Sequence, residues 1–337
     1  MGRLKRVAVV FTGGTISMLV DPVAGGAVPA LDGAAILART PGLDRLADLV
    51  PIDRGRKPAS HWTFPELLAT AWAIRDLLAD PAIDAVVLVQ GTDTLDESSF
   101  LFDLVLDSPK PVVVTGAMRN ASQDGYDGPA NLRDAVAAAA SDALVGAGVV
   151  VVLAGTIEPA DDVTKTHATA LDTFRSLNAG RLGRVVDGGV VLERPRGPRR
   201  PIVAVERLAE PIHVVTATIA MDPAILDAVV DLQPAGIVVA ATGSGNTSPG
   251  LLAAGERAIA AGIPVVLTTR TAAGGAHPGY AFPGGGGRWV RAGAMLAGTL
   301  GAPKARIALA AGLGAGLTGD ALARFLAGPP AASGVAE

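Results

Sequence analysis

Cysteine is absent from all 337 residues, which excludes disulfides, thiol nucleophiles and cysteine-ligated metals. Aromatic residues supply only 4% of the chain, so the apolar half of the composition rests mainly on alanine and valine. Histidine is scarce too: His61, His167, His213 and His277 show no ligand spacing, and no metal site is expected. The formal net charge of −4 argues against a nucleic-acid or anionic-membrane partner. No apolar run reaches the roughly 18 residues of a membrane-spanning helix. Residues 1–6 lead straight into a strand-like segment with no room for a secretory h-region, so a soluble cytoplasmic protein is expected. The glycine pair at 13–14 is not part of a G-x-G-x-x-G or G-x-x-x-x-G-K motif, and G-x-S-x-G is missing from the chain.

What is present is a repeated alternation of strand and helix. Short, continuously apolar runs occur at 7–11, 85–89, 112–114, 149–152, 213–215, 236–239 and 264–267. Continuous rather than alternating hydrophobicity is the mark of strands covered on both faces. Helices are expected over 64–80, with Thr63 as N-cap, and over the alanine-rich 131–144. The length suits two domains, and the pattern predicts an α/β fold with a doubly wound, mostly parallel sheet in the larger first one. The proline- and arginine-rich stretch from 194 to 211 reads as a solvated linker between an N-terminal domain, 1–193, and a smaller α/β domain, 212–337. Gly284 to Gly287 read as a flexible turn with no helix after it.

Two segments stand where strands end. Thr12-Gly13-Gly14-Thr15-Ile16 follows the first apolar run, and Gln90-Gly91-Thr92-Asp93-Thr94 follows the second. The carboxyl edge of an open α/β sheet is where such folds bind ligands. Gly13-Gly14 permits a sharp turn and a close backbone approach, which suits either a phosphate-binding turn or a presented Thr15 hydroxyl. Asp93 suits either a helix cap or an ammonium contact. A threonine hydroxyl is a weak nucleophile until a base takes its proton. The lysines are few (Lys5, Lys57, Lys110, Lys165 and Lys304), and Lys165 stands among threonines and aspartates in Asp161-Asp162-Val163-Thr164-Lys165-Thr166. It is either that base or a surface lysine. His167 beside it reads as an exposed loop residue, and Gly243-Ser244-Gly245-Asn246 as a loop after a strand.

Together these segments resemble the bacterial-type L-asparaginase family. Phe11 to Ile16 is similar to its first signature and Gln90 to Ser98 to its second. Further matches are Gly116-Ala117-Met118-Arg119, Asp127-Gly128-Pro129-Ala130-Asn131-Leu132, Asp162 to Thr166 and, more loosely, Ala241 to Asn246. The resemblance implies hydrolysis of the side-chain amide of L-asparagine to L-aspartate and ammonia. Thr15 would be the nucleophile of an acyl-enzyme, with Thr92, Asp93 and Lys165 as a second catalytic group. Asp93 would also bind the substrate's α-ammonium, and Ser60 its α-carboxylate, unless Ala59 holds that register. Backbone donors around Ala117 and Thr92 would stabilise the oxyanion. No metal or cofactor is implied, and the family assembles as homotetramers built from dimers that share the site, so a homotetramer or homodimer is expected.

Three departures from the family pattern follow. The segment expected to form the lid, with Asp21 to Gly26 at its tip, carries no tyrosine between 19 and 31. The stretch 274–289, where some members hold a glutamate for the neighbouring subunit's site, has neither Asp nor Glu. Gln90 replaces the usual histidine. Rival readings are the same chemistry on glutamine, D-asparagine or a larger amide, and a non-catalytic amino-acid binder. The tRNA-serving amidotransferase branch is disfavoured by the acidic charge and the lack of an added nucleic-acid-binding segment.

Overall fold

A computed structural model of the protein describes residues 3–329. The chain forms two compact units that part between Arg196 and Gly197. The first contains strands β1 (Arg6–Phe11), β2 (Met18–Asp21), β3 (Gly26–Pro29), β4 (Asp48–Asp53), β5 (Ala85–Val89) and β6 (Val112–Thr115). It continues with β7 (Val149–Leu153), β8 (Thr156–Pro159), β9 (Val163–Lys165), β10 (Phe174–Ser176), β11 (Gly183–Val186) and β12 (Gly189–Leu192). Its α-helices are α1 (Gly33–Ala38), α2 (Phe64–Ala79), α3 (Leu95–Val105) and α4 (Gly128–Ala139).

Eight strands make one sheet in the order β12-β11-β8-β7-β6-β5-β1-β4. The half from β4 to β7 is parallel and the flank from β8 to β12 is antiparallel. Alternate residues Val7, Val9, Phe11, Val87, Val89 and Val113 share a core with Ile36 of α1 and Leu132, Ala135 and Val136 of α4. The intervening Ala8, Val10, Val86, Leu88 and Val114 are equally buried on the opposite face. Burial on both faces explains why these strands show no polar alternation.

The order of the strands fixes the position of the site. From β1 the chain passes outward to β4, then returns to pair β5 against the other side of β1. The loops after β1 and β5 therefore diverge, and the gap at the carboxyl ends of these two strands is the topological switch point of the sheet. Both threonine-bearing segments start there.

The second unit is a four-stranded parallel sheet, β13 (Ile212–Thr216), β14 (Gly236–Ala241), β15 (Val265–Thr269) and β16 (Met295–Leu296), paired in that order. Its helices are α5 (Ala224–Asp231), α6 (Pro249–Ala260), α7 (Gly286–Ala292), α8 (Ala302–Gly314) and α9 (Gly319–Ala327). Among the described residues no helix is long and apolar enough to cross a membrane.

Three local expectations are corrected. The glycine run is not a free turn but leads into α7, whose Trp289 is fully buried against Gly255. A Cβ on Gly286 or Gly287 would meet a backbone oxygen of His277 or Pro278 at 2.3 or 2.5 Å. The glycines thus serve close packing, and burial of the indole outweighs their poor helix propensity. The expected helix over 131–144 starts earlier, at Gly128, with Pro129 in its first turn, and stops at Ala139. A separate 3-10 turn at Asp142–Leu144 follows, because the Ser141 side chain accepts the Ala143 N–H. The arginines of the stretch 194–211 are not all solvated. Arg196 is mostly shielded from solvent, its side chain 12% exposed and paired with Asp103 and Asp161. Arg200 is buried and donates to the carbonyls of Phe325 and Leu326, which the end of α9 leaves without helical partners.

Candidate active site

The loops after β1, β4 and β5 meet through glycine. Gly13 and Gly14 have φ of 106° and 88°, outside the range other residues hold without strain. A Cβ on Gly14 would lie 2.1 Å from the Cα of Gly91, and one on Gly91 would lie 2.8 Å from the Ala59 Cβ. On Gly13 it would lie 2.5 Å from the Lys57 nitrogen, which donates to the Thr12 carbonyl at 2.8 Å. Thr15 and Thr92 are the residues that follow the two touching glycines, Gly14 and Gly91. Bare backbone at both positions is what lets the two threonine-bearing loops approach one another.

The two threonines of the first segment do different things. Thr12 is buried, and both its N–H and its hydroxyl donate to the Val89 carbonyl, tying β1 to β5. Thr15 opens a 3-10 turn, Thr15–Ser17, closed by the Ser17 N–H and hydroxyl donating to the Gly14 carbonyl at 2.9 and 2.7 Å. Thr15 is half-buried, and among the described residues nothing hydrogen-bonds its hydroxyl. Of the pair, only Thr15 has a hydroxyl available to a ligand.

The second segment is gathered by Lys165. Its Nζ donates to Thr92 Oγ1 at 3.1 Å and pairs with Asp93 Oδ1 at 3.0 Å. Thr92 is buried, the Lys165 side chain is 15% exposed, and that of Asp93 is 68% exposed. Asp93 thus offers its carboxylate to solvent while the ammonium beneath it is largely shielded, a geometry suited to a charged substrate group above and proton movement below. Lys165 closes β9, which pairs with β10. The Lys165 N–H also donates to Asp96 Oδ2 at 3.2 Å, so the first turn of α3 holds the lysine's backbone.

The loop after β6 forms a third side. Ala117 is buried between Gly116, whose carbonyl accepts from Asn131 Nδ2 at 3.0 Å, and Met118, whose N–H donates to the Asp127 carboxylate. Asp127 also accepts from the Arg119 N–H and from Asn131, while Asn131 Oδ1 accepts the Ala154 N–H. A Cβ on Gly116 would meet Gln90 O at 2.5 Å and Thr92 Cγ2 at 3.1 Å, so this loop rests directly on the second segment. Gln90 itself is buried, with Nε2 donating to Ser98 Oγ at 2.5 Å.

The remaining expected residues lie at the margins. Ser60 is exposed in the 3-10 turn Ala59–His61, and Ala59 is the side chain that faces Gly91. The Ala59 carbonyl accepts from Thr94 Oγ1 at 3.1 Å, fixing the turn to the second segment. His167 is exposed, and its Nδ1 accepts the N–H groups of Thr169 and Ala170. Residues 18–29 form an antiparallel hairpin, β2 with β3, whose tip spans Asp21 to Gly26.

Sequence reasoning did not single out Asp96, Tyr126, Asp127 or Asn131. An acid in a first helical turn reads as dipole complementarity, and nothing local reveals a long-range partner. The signal for Asp127 and Asn131 was their presence in a matched motif, without a role attached.

Known proteins resemble the chain along most of its length. Residues 6–197 match the family model described as Asparaginase, N-terminal, and residues 211–326 match the Glutaminase/Asparaginase C-terminal domain. A probable L-asparaginase of Deinococcus radiodurans is 36% identical over 310 residues, covering 91% of this chain and 92% of that protein. An L-asparaginase of Bacillus licheniformis is 31% identical over 306 residues, covering 91% and 94%. The crystal structure of a probable cytoplasmic L-asparaginase from Campylobacter jejuni superposes with a TM-score of 0.82 at 28% identity, covering 92% of this chain and 95% of that one. With both domain models matched in order and relatives aligned along nine-tenths of its length, the chain belongs to the asparaginase family.

Proposed function

We propose that the protein is an L-asparaginase that hydrolyses the side-chain amide of L-asparagine to L-aspartate and ammonia through a threonine-bound acyl intermediate. The observation that carries this reading is the contact of Lys165 Nζ with Thr92 Oγ1 and Asp93 Oδ1, at the switch point where the Thr15 turn touches Gly91. The available hydroxyl of Thr15 attacks the amide carbon, giving its proton to a base. The carbonyl oxygen gains charge and is met by backbone N–H groups near Thr92 and Ala117, which need no reorganisation to do so. Collapse of the adduct breaks the C–N bond, and the leaving nitrogen takes a proton and departs as ammonia. Water then adds to the ester carbon, the C–O bond to Thr15 breaks, and aspartate leaves with the hydroxyl restored. Thr92 and Lys165 carry the proton in both halves, with Lys165 entering as the neutral amine that takes it through the Thr92 hydroxyl and returns it to the leaving group. Asp93 binds the substrate's α-ammonium.

A second reading keeps the chemistry and changes the substrate. Ala59, not a hydroxyl, faces Gly91, and the hairpin 18–29 brings no tyrosine. These departures fit glutamine, D-asparagine or a larger amide. An apolar pocket discriminates a single methylene by only ~1–3 kcal/mol, so the substrate must be assayed. The cellular setting proposed is the cytoplasm, after the C. jejuni relative called cytoplasmic, and the assembly a homotetramer or homodimer.

The test is ammonia release from L-asparagine, L-glutamine and D-asparagine by wild type beside Thr15→Ala. Turnover of L-asparagine lost in the variant supports the substrate and the nucleophile together. Folded wild type that turns over none of the three would overturn the L-asparaginase reading.

A further inference from the structure

Tyr126, one of two tyrosines in the chain, lies in the loop before α4. Its hydroxyl donates to the carbonyl of Ile16 at 2.7 Å. Ile16 is the middle residue of the 3-10 turn that begins with Thr15, and it is completely buried. The turn is short, and its own hydrogen bonds reach only the Gly14 and Thr15 carbonyls. It therefore depends on outside contacts to hold one orientation, since a single 3-10 turn lacks the cooperativity of a longer helix.

The loop that carries Tyr126 holds the neighbouring pieces too. The Ala121 N–H donates to the Met18 carbonyl at 3.0 Å, and the Ser122 hydroxyl accepts the Val20 N–H at 3.0 Å, so the same loop anchors β2. At its ends Asp127 fixes Met118 and Arg119 beside Ala117. The loop is itself stiffened by Asn120 and Gln123, which bond to one another's backbones, and by the Tyr126 N–H donating to the Gln123 carbonyl. One segment, 118–127, thus touches the Thr15 turn, the hairpin and the loop after β6.

We propose that Tyr126 is a positioning residue for Thr15, holding the Ile16 carbonyl so that the Thr15 hydroxyl is presented in a single orientation to the substrate. The inference rests on the amide-hydrolase reading above. Tyr126 acts through the turn and not on the reacting atoms, because its only proton is committed to a backbone carbonyl. Burial pushes the phenol up to about 12, so the hydroxyl remains a donor across the range in which the enzyme would work. The ring packs close to Gly128, where a Cβ would lie 2.4 Å from it, which keeps the hydroxyl aimed at Ile16.

Tyr126→Phe removes the hydroxyl and keeps the ring. Two measurements on the full-length variant decide the matter. Amide hydrogen exchange over residues 12–20 should be faster than in wild type. The kcat for ammonia release should fall about tenfold, a fraction of the loss that a 1 Å misplacement causes, with KM held within about twofold. The stoichiometry of L-aspartate binding should be unchanged, which separates misplacement from a loss of folded sites. Unchanged exchange over 12–20 overturns the proposal whatever the activity, as does unchanged kcat in an active enzyme. A parallel rise in KM overturns it too, because general loosening of the pocket predicts that result. A wild type that releases no ammonia from any amide defeats the hydrolase reading alone, while the exchange result still decides whether Tyr126 holds the turn.

Discussion

The ammonium of Lys165 lies 3.1 Å from the hydroxyl of Thr92, although 73 residues separate them in sequence. That contact couples the carboxyl end of β5 to the short β9–β10 hairpin, and Asp93 completes it at 3.0 Å. Replacing Lys165 with Met retains the length and apolar stem but removes the charge and the proton. The expected outcome is a loss of ~10²–10⁴ in kcat, the span general acid–base catalysis supplies, with an unchanged circular dichroism spectrum. Retention of wild-type turnover would exclude Lys165 from the chemistry.

Thr15→Ala should lower kcat by about 10³-fold or more, since no other available hydroxyl shares its turn. Calorimetric titration with L-aspartate should still show binding, because Asp93 and the backbone donors are untouched.

Gly14→Ala should be among the most damaging single-methyl additions to this chain. The new Cβ would sit 2.1 Å from the Gly91 Cα, and φ of 88° is strained for any L side chain. Backbone strain alone costs ~1–3 kcal/mol, and the collision must also push apart the loops after β1 and β5. Thermal unfolding should shift down by several degrees, and activity should be lost more completely than stability.

Acid sensitivity should trace in part to Glu66. Hydrogen bonds from Lys57 first, then from Thr63, bring its carboxyl down from the ordinary 4.5 to about 2. The folded state therefore binds this proton less readily than the unfolded chain does. The stability it contributes is fully present above about 4.5 and is lost as pH falls toward about 2. Glu66→Gln should melt below wild type at neutral pH, and the two melting curves should converge in that acidic window. A gap that stays constant with pH would assign the effect to packing.

The sequence by itself determined the class of fold and the identity of the site segments. Continuous valine runs at 7–11 and 85–89 demand burial on both faces, and that requirement yields a covered parallel sheet before any strand order is known. Glycine followed by threonine at both strand ends, Gly13-Gly14-Thr15 and Gly91-Thr92, marks backbone that must pass close to something. Local pattern misled where long-range packing outweighed it. Gly286 and Gly287 belong to α7 because burying Trp289 stabilises the helix more than glycine weakens it, and Arg196 is drawn from solvent because Asp103 and Asp161 pair with it. Only the tertiary structure decided that Gly14 touches Gly91, that Lys165 reaches Thr92, and that Tyr126 reaches the turn of Thr15. Strand order and loop register set these meetings, and those depend on the whole sheet closing around its core, which no local window of sequence contains.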